Sequence, residues 1–272
     1  MAFGGDNAES YYDEGLTASM KGDVAQAAEF FERAIRLDNS LVAAYHQLGR
    51  CCIRLGEPKK AVSLLEQVVQ ARPQQVPPRL DLGQAYLELG QTGRAREAFA
   101  AALDLKPEDA RGKLGLAECA YADGNWDVAI NVAQSVANRT GGFAALYLLG
   151  RAAKAAGQDD IAAQSLKQAD VLLEKQIEST PMQPEAHFLR GEVAVGQNKV
   201  ADALDHYRAA EDRAEPGKHY LAYGERFCRT DILMRRALCL KQLGRDEAAR
   251  ELAEQILRAD PNYEVRPLLE EQ

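Results

Sequence analysis

One spacing governs everything else that this chain can be. Gly22, Gly56, Gly90 and Gly124 follow one another at intervals of 34 residues, and Gly157 comes 33 later. Around them the text repeats: "LGQTGRAREAFAAALDLKP" from Leu89 returns as "LGRDEAARELAEQILRADP" from Leu243. A fixed period of this length marks a chain built from one supersecondary unit used many times, each copy burying its apolar face against its neighbours. Between Gly157 and Gly244 lie 87 residues, room for two intervals and one more turn. Asn198, in "GQNKVADA", suits that turn, because Asn is the residue after Gly that best tolerates the left-handed conformation. Seven copies result.

Each copy reads as two helices. Before the second turn, Tyr45, Leu48 and Cys52 share one apolar face at helical spacing. After it, Ala61, Leu64, Leu65 and Val68 form another. Pro73, Pro107 and Pro261 close second helices, because proline cannot continue the hydrogen-bonded turn. Mid-way along each first helix stands a small residue: Gly15, Gly49, Gly83, Ala117, Gly150, Gly191 and Ala237. Glycine inside a helix costs about 1 kcal/mol against alanine. Its recurrence in register with the turns implies close approach of a neighbouring helix backbone. Ala, Leu, Glu, Gln and Arg abound, and they lose little rotamer freedom in a helix. With no alternating β-branched segments between turn signals, an all-α fold is expected.

The match of Arg79 to Pro107 is the fullest, with Leu82, Gly83, Tyr86, Ala95, Phe99, Ala102 and Pro107. Tyr45, Leu48, Gly49, Ala61 and Pro73, and then Tyr11, Gly15, Ala27, Phe31 and Ala34, repeat it. In these positions the chain resembles the tetratricopeptide repeat family, from about Ala8 to Pro261. The fourth and seventh copies depart from it, with Ala117 and Ala237 for glycine. The resemblance implies a right-handed α-solenoid, a superhelix of helix-turn-helix repeats whose first helices line a concave groove. After a short tail at 1–7, the repeats fall at about 8–41, 42–75, 76–109, 110–142, 143–176, 184–217 and 230–262.

Departures from the period locate what is particular to this chain. From Gly157 to Asn198 there are seven residues too many, about two helical turns, so a lengthened helix is expected in 170–183. From Asn198 to Gly244 there are twelve too many. Pro216 and Gly217 break the chain first, so an extended helix is expected in 218–229, within "KHYLAYGERFCRTD". Its Tyr220, Tyr223 and Phe227 either pack against the long second helix of the fifth copy or form a second docking surface. The tail 262–272 contains Pro267, too close to its middle for a full helix. Tyr263, Val265, Leu268 and Leu269 are expected either to fold back as a short cap or to leave an edge for self-association.

Catalytic and metal-binding patterns are missing. His46, His187, His206 and His219 have no ligand spacing, and no G-x-S-x-G elbow or phosphate-cradling loop occurs. Cys51, Cys119 and Cys239 recur at one repeat position and read as buried small hydrophobes. Asn138 begins a glycosylation triplet in letters only. No catalytic residue, metal or cofactor is therefore expected. A net charge of −8 lacks the basic stripe of a nucleic-acid binder. No run of about 20 apolar residues calls for membrane insertion. With no signal-peptide pattern and five cysteines that form no disulfide framework, a cytoplasmic setting is expected.

The groove is the candidate site. In the repeat frame its inward side chains are Tyr12, His46, Arg50, Arg54, Gln84, Glu88, Glu118, Tyr121, Tyr147, Arg151, Lys154, Phe188 and Glu192. Aromatic anchors between charged groups suit a protein segment laid in a groove. Basic pairs at Arg50–Arg54 and Arg151–Lys154, with Tyr121 and Tyr147 between them, would match a segment with acidic ends and an apolar middle. In the family, clamps for chaperone C-terminal carboxylates use lysines, asparagines and an arginine. Here the matching places hold Tyr12, Leu16, Gln47, Pro77 and Asp81, and Asp81 would repel a carboxylate. A non-enzymatic scaffold or adaptor for a protein or peptide is the leading expectation. A sensor of a small peptide or metabolite, and a regulatory subunit of an enzyme complex, are the alternatives.

Overall fold

Every first helix ends where a residue turns left-handed. In the computed structural model, which describes residues 7–223, 225–265 and 268, Gly22, Gly56, Gly90, Gly124, Gly157, Asn198 and Gly244 all have φ between 59° and 84°. A left-handed residue past the last turn lets two backbone N–H groups close on orphan carbonyls and stops the helix. Gly56 and Glu57 do this onto Ile53 and Cys52. The turns separate α1 (Ala8–Met20) from α2 (Val24–Leu37), α3 (Val42–Leu55) from α4 (Pro58–Ala71), and α5 (Val76–Glu88) from α6 (Thr92–Leu105). The remaining pairs are α7 (Ala110–Ala122) and α8 (Trp126–Thr140), α9 (Phe143–Ala155) and α10 (Asp159–Ser179), α11 (Pro184–Gly196) and α12 (Val200–Glu211), and α13 (Arg229–Gln242) and α14 (Asp246–Ala259). Starts are marked by side-chain caps where the sequence offers them. Asn7 accepts from the Ser10 N–H, Asp23 from Gln26, and Asp109 from Arg111 and Gly112. Pro73, Pro107 and Pro261 each stand two residues beyond a helix end.

The small residues inside the first helices meet side chains, which corrects the expectation of a backbone neighbour. A Cβ on Gly15 would lie 2.6 Å from the Phe31 ring, on Gly49 2.8 Å from Leu65, and on Gly83 2.7 Å from the Phe99 ring. The same holds for Gly150 against Leu166, at 2.6 Å, and Gly191 against Tyr207, at 2.4 Å. In each of these five copies the large partner sits sixteen residues on, in the second helix, and is between 0% and 3% exposed. The missing methyl on one helix is filled by a ring or an isobutyl group from the other. Where the first helix carries Ala237, the residue sixteen on is Ala253, and the two share one core cluster.

Two compact units compose the chain, Met1–Val132 and Ala133–Gln272, and the division falls within α8. In the first unit α3 touches α5 and α5 touches α7, so its first helices lie side by side. In the second unit α9 and α11 do the same. There α10 runs 21 residues, against 14 for α2, α4 and α6.

Residues 218–229 do not form the extended helix that the spacing suggested. Strand β1 (His219–Ala222) pairs antiparallel with β2 (Glu225–Cys228), with Tyr220 opposite Phe227. An aromatic spacing of three and then four residues fits a helix face as well as it fits two strands. What decides is that Tyr220 and Phe227 become cross-strand partners, stacked with centroids 5.4 Å apart and 5% and 1% exposed. Beyond β2, the Cys228 N–H donates to Asp231 Oδ2 at 2.8 Å, and the Tyr263 hydroxyl donates to Asp231 Oδ1 at 2.5 Å. Tyr263, Val265 and Leu268 pack on Leu233, Ala237, Ala253 and Ile256 and cover the last helix pair. Residues 1–6, which hold most of the N-terminal tail, and Leu269 of the expected cap lie outside the described residues.

Candidate functional site

The two units present different first-helix faces. In the first unit Tyr12, His46, Arg54, Gln84, Glu88, Glu118 and Tyr121 are half-exposed and Arg50 is exposed. Tyr12 leans on Phe31 at 5.7 Å, and the Arg50 guanidinium donates to Gln47 at 3.2 Å. Among these helices runs a relay centred on a buried carboxylate, which the sequence reading missed. Asp81 of α5, 7% exposed, stands 2.8 Å from His46 Nε2 of α3 and accepts from Arg111 of α7 at 2.7 Å. Burial alone would raise the pKa of this carboxyl. Hydrogen bonds from His46 and Arg111, together with their charges, outweigh that and hold it below the usual carboxylate range. One carboxylate thus staples three consecutive first helices and fixes the spacing of the face.

In the second unit the corresponding face is already filled. The hairpin β1–β2 lies on α9 and α11, not on the lengthened α10 against which its aromatic residues were expected to pack. Phe227 stacks on Phe188 with centroids 3.9 Å apart, Tyr223 meets Phe143 at 4.6 Å, and Glu225 pairs with Arg151 at 2.7 Å. Tyr147 and Phe188, expected to line an open groove, are 5% and 3% exposed. Glu192 accepts from the Tyr207 hydroxyl at 2.6 Å and from Arg235 at 2.9 Å. Burial, opposed by Arg235 and the Tyr207 hydroxyl, leaves its pKa above the ordinary carboxylate value. Lys154 reaches Asn198 at 3.2 Å. The twelve surplus residues supply the cover, so Tyr147 and Phe188 belong to the interior of the fold, while Arg151 and Lys154 stay half-exposed. Of the second candidate surface, only Tyr223, 49% exposed, remains at the boundary with solvent.

Cys51, Cys119 and Cys239 each stand two residues beyond the small residue of their first helices and are buried, as their shared repeat position predicts. Among the described residues no cluster of three His, Cys, Asp or Glu could hold a metal ion, and no helix is long and apolar enough to cross a membrane. A cleft of about 530 Å³ in the second unit lies between α10 and the α11–α12 turn, lined by Lys154, Lys167, Lys199, Asp159 and Asp170 among others.

Antiparallel helix pairs in succession, each turning on a left-handed residue and five of them packing a large side chain into a glycine, define an all-α helical-repeat protein of the solenoid class. The chain belongs to the tetratricopeptide repeat family. Three family models, each described as tetratricopeptide repeat, match residues 80–142 and 147–218, 18–68 and 55–102, and 230–263. No curated protein sequence matches the chain. Among solved structures it is similar to a tetratricopeptide repeat protein from Parabacteroides merdae, with 17% identity over 97% of this chain and 98% of that one and a TM-score of 0.63. It is also similar to the MamA protein, with 23% identity over 64% and 95% and a TM-score of 0.51. A third likeness is to the APC/C hetero-tetramer Cut9–Hcn1, with 17% identity, a TM-score of 0.61, and coverage of 88% of this chain but 44% of that one. At such identities the likeness shows the fold. Membership of this family supports a role in protein–protein interaction.

Proposed function

We propose that the chain is a non-enzymatic, cytoplasmic adaptor that holds a protein segment on the first-helix face of its first unit. The observation that carries this reading is the contrast between the two faces. The second unit covers its aromatic and charged first-helix residues with its own hairpin, whereas the first keeps Tyr12, Arg50, Arg54, Gln84 and Tyr121 at the surface. The His46–Asp81–Arg111 relay holds that face in one geometry, and a preformed face binds at lower entropic cost. Arg50 and Arg54 favour an acidic end of the segment, and Tyr121 an apolar part. A similar structure that is itself a hetero-tetramer fits the reading. The apolar edge of α13 and α14, through which self-association would run, is met by the chain's own Val265 and Leu268.

The test compares partner capture by the wild-type chain with Tyr121→Ala and with Arg50→Ala/Arg54→Ala. Exposed charge pairs contribute about 0–1 kcal/mol each, so the tyrosine variant should lose more affinity and the arginine variant more association rate at low salt. Equal capture by all three would overturn the reading. A second reading, a sensor of a small anionic ligand, has the lysine-rich cleft of the second unit in its favour. A thermal shift with a small anion, abolished by Lys167→Ala/Lys199→Ala, would support it over the first.

A further inference from the structure

The hairpin is anchored unevenly. Its base is built into the core of the second unit, with Tyr220 and Phe227 buried among Phe188, Leu204, Tyr207 and Ile232. The Glu215 N–H donates to the Tyr220 hydroxyl at 2.9 Å, and the Cys228 N–H is held by Asp231. Its tip is different. The chain reverses between Ala222 and Glu225, and Tyr223 takes a φ of 50°, a left-handed conformation that bulky side chains rarely adopt. Half of the Tyr223 surface is open to solvent. The tip meets α9 through the Tyr223 ring on Phe143 and the Glu225 carboxylate on Arg151.

Beneath the tip lies a single stripe. Phe143, Tyr147 and Arg151 stand four residues apart on α9, on one face of the helix. The two rings stack at 5.3 Å, and the Arg151 guanidinium sits 5.3 Å above the centre of Tyr147. A π surface ending in a guanidinium, which can take a carboxylate in a two-pronged grip, is a complete recognition element for a short segment. Tyr223 and Glu225, two residues apart, show what fits it.

We propose that the Phe143–Tyr147–Arg151 stripe is a docking site whose resting occupant is the hairpin tip, and that it takes a partner segment carrying an aromatic side chain and a carboxylate two residues apart. The inference rests on the reading that first-helix faces of this chain bind protein segments, and it assigns the partner chemistry to the second of them. The buried base stays in place while the strained, half-exposed tip gives way, so the site opens without unfolding the unit. The tip competes with any partner, and binding is weaker than the stripe alone would allow.

The probe is a capped hexapeptide with the sequence of residues 221–226, titrated into the full-length chain. Tyr223→Gly/Glu225→Gln removes the occupant's side chains and suits the left-handed position, while Tyr220 and Phe227 still hold the base. This variant should bind the peptide at least fivefold more tightly than wild type, and adding Arg151→Ala should cancel the gain. Equal affinity in wild type and the double variant, or binding indifferent to Arg151, overturns the proposal. Should the triple variant fail to fold, hydrogen exchange on the wild-type chain decides. The amides of Ala222 and Glu225 should exchange at least tenfold faster than those of Tyr220 and Phe227, and equal protection refutes an opening tip. None of these changes touches Tyr121 or Arg50, so failure here leaves the first-unit reading standing.

Discussion

Replacing Gly83 by Ala adds one methyl group and should destabilise the protein, against the usual rule for helices. The new Cβ would lie 2.7 Å from Cε1 and Cζ of Phe99 and 2.9 Å from its Cδ1, where ordinary contact begins near 3.4 Å. The ring cannot easily retreat. It is 3% exposed, and Gly115 of α7 already approaches it so closely that a Cβ there would stand 2.4 Å away. Overpacking of this kind costs about 1–3 kcal/mol, while alanine in a helix recovers at most about 1 kcal/mol over glycine. A net loss of up to about 2 kcal/mol follows once that recovery is subtracted. Gly93, exposed on α6 with nothing within 4 Å of its added Cβ, provides the same chemical change without the clash. Gly93→Ala should therefore stabilise by up to about 1 kcal/mol. Urea unfolding followed by circular dichroism compares the midpoints, with Gly83→Ala/Phe99→Leu closing the cycle. Residues in direct contact couple by about 0.5–3 kcal/mol, so the double variant should be more stable than the sum of its parts. If Gly83→Ala stabilises as Gly93→Ala does, or the double variant is simply additive, the packing of the ring into the glycine is not what fixes these helix pairs.

Three further outcomes are expected. Asp81 has a pKa lowered on folding, so it contributes stability above its unfolded value of about 3.9 and loses that contribution as pH falls through the folded one. Asp81→Asn should therefore lower stability near neutrality and flatten its fall below about pH 4, as read from urea midpoints across pH. Phe227→Ala empties a fully buried ring site and should cost about 3–5 kcal/mol, whereas Tyr223→Ala at the half-open tip should cost far less; near-ultraviolet dichroism and urea unfolding distinguish them. Burial pushes the thiols of Cys51, Cys119 and Cys239 up to about 11 and that of Cys52 to about 12. At about pH 8 a thiol reagent should reach these four only after denaturant is added, with half-buried Cys228 reacting first.

The repeat frame was legible because its turns make a demand that few residues meet. A left-handed position takes Gly or Asn, and the demand recurs at a fixed interval, so even Asn198 could be assigned. Gly83 was legible as a tight place, but its partner was not, because nothing in the period says whether a ring or a backbone fills the gap. The Asp81 relay joins residues 35 and 30 positions apart, on helices that become neighbours only after stacking, and such pairs leave no periodic trace. The hairpin was misread for a different reason. Its aromatic spacing serves two geometries, and the one that won depends on a surface, Phe143 to Phe188, that exists only once α9 and α11 lie together. The same event removed Tyr147 and Phe188 from the open groove.

Asp231 gives its two oxygens to two distant stretches of chain, one to the base of the hairpin and one to Tyr263. A carboxylate so divided makes the end of the chain and the hairpin answer to each other. If the segment from Tyr263 onward lets go, one oxygen loses its donor, the side chain is free to rotate, and the grip on the Cys228 N–H slackens with it. Fraying at a terminus is ordinarily a local matter. Here it travels 35 residues back along the sequence, to the strand that roofs α9 and α11, so the C-terminal tail takes part in setting how firmly that roof is closed.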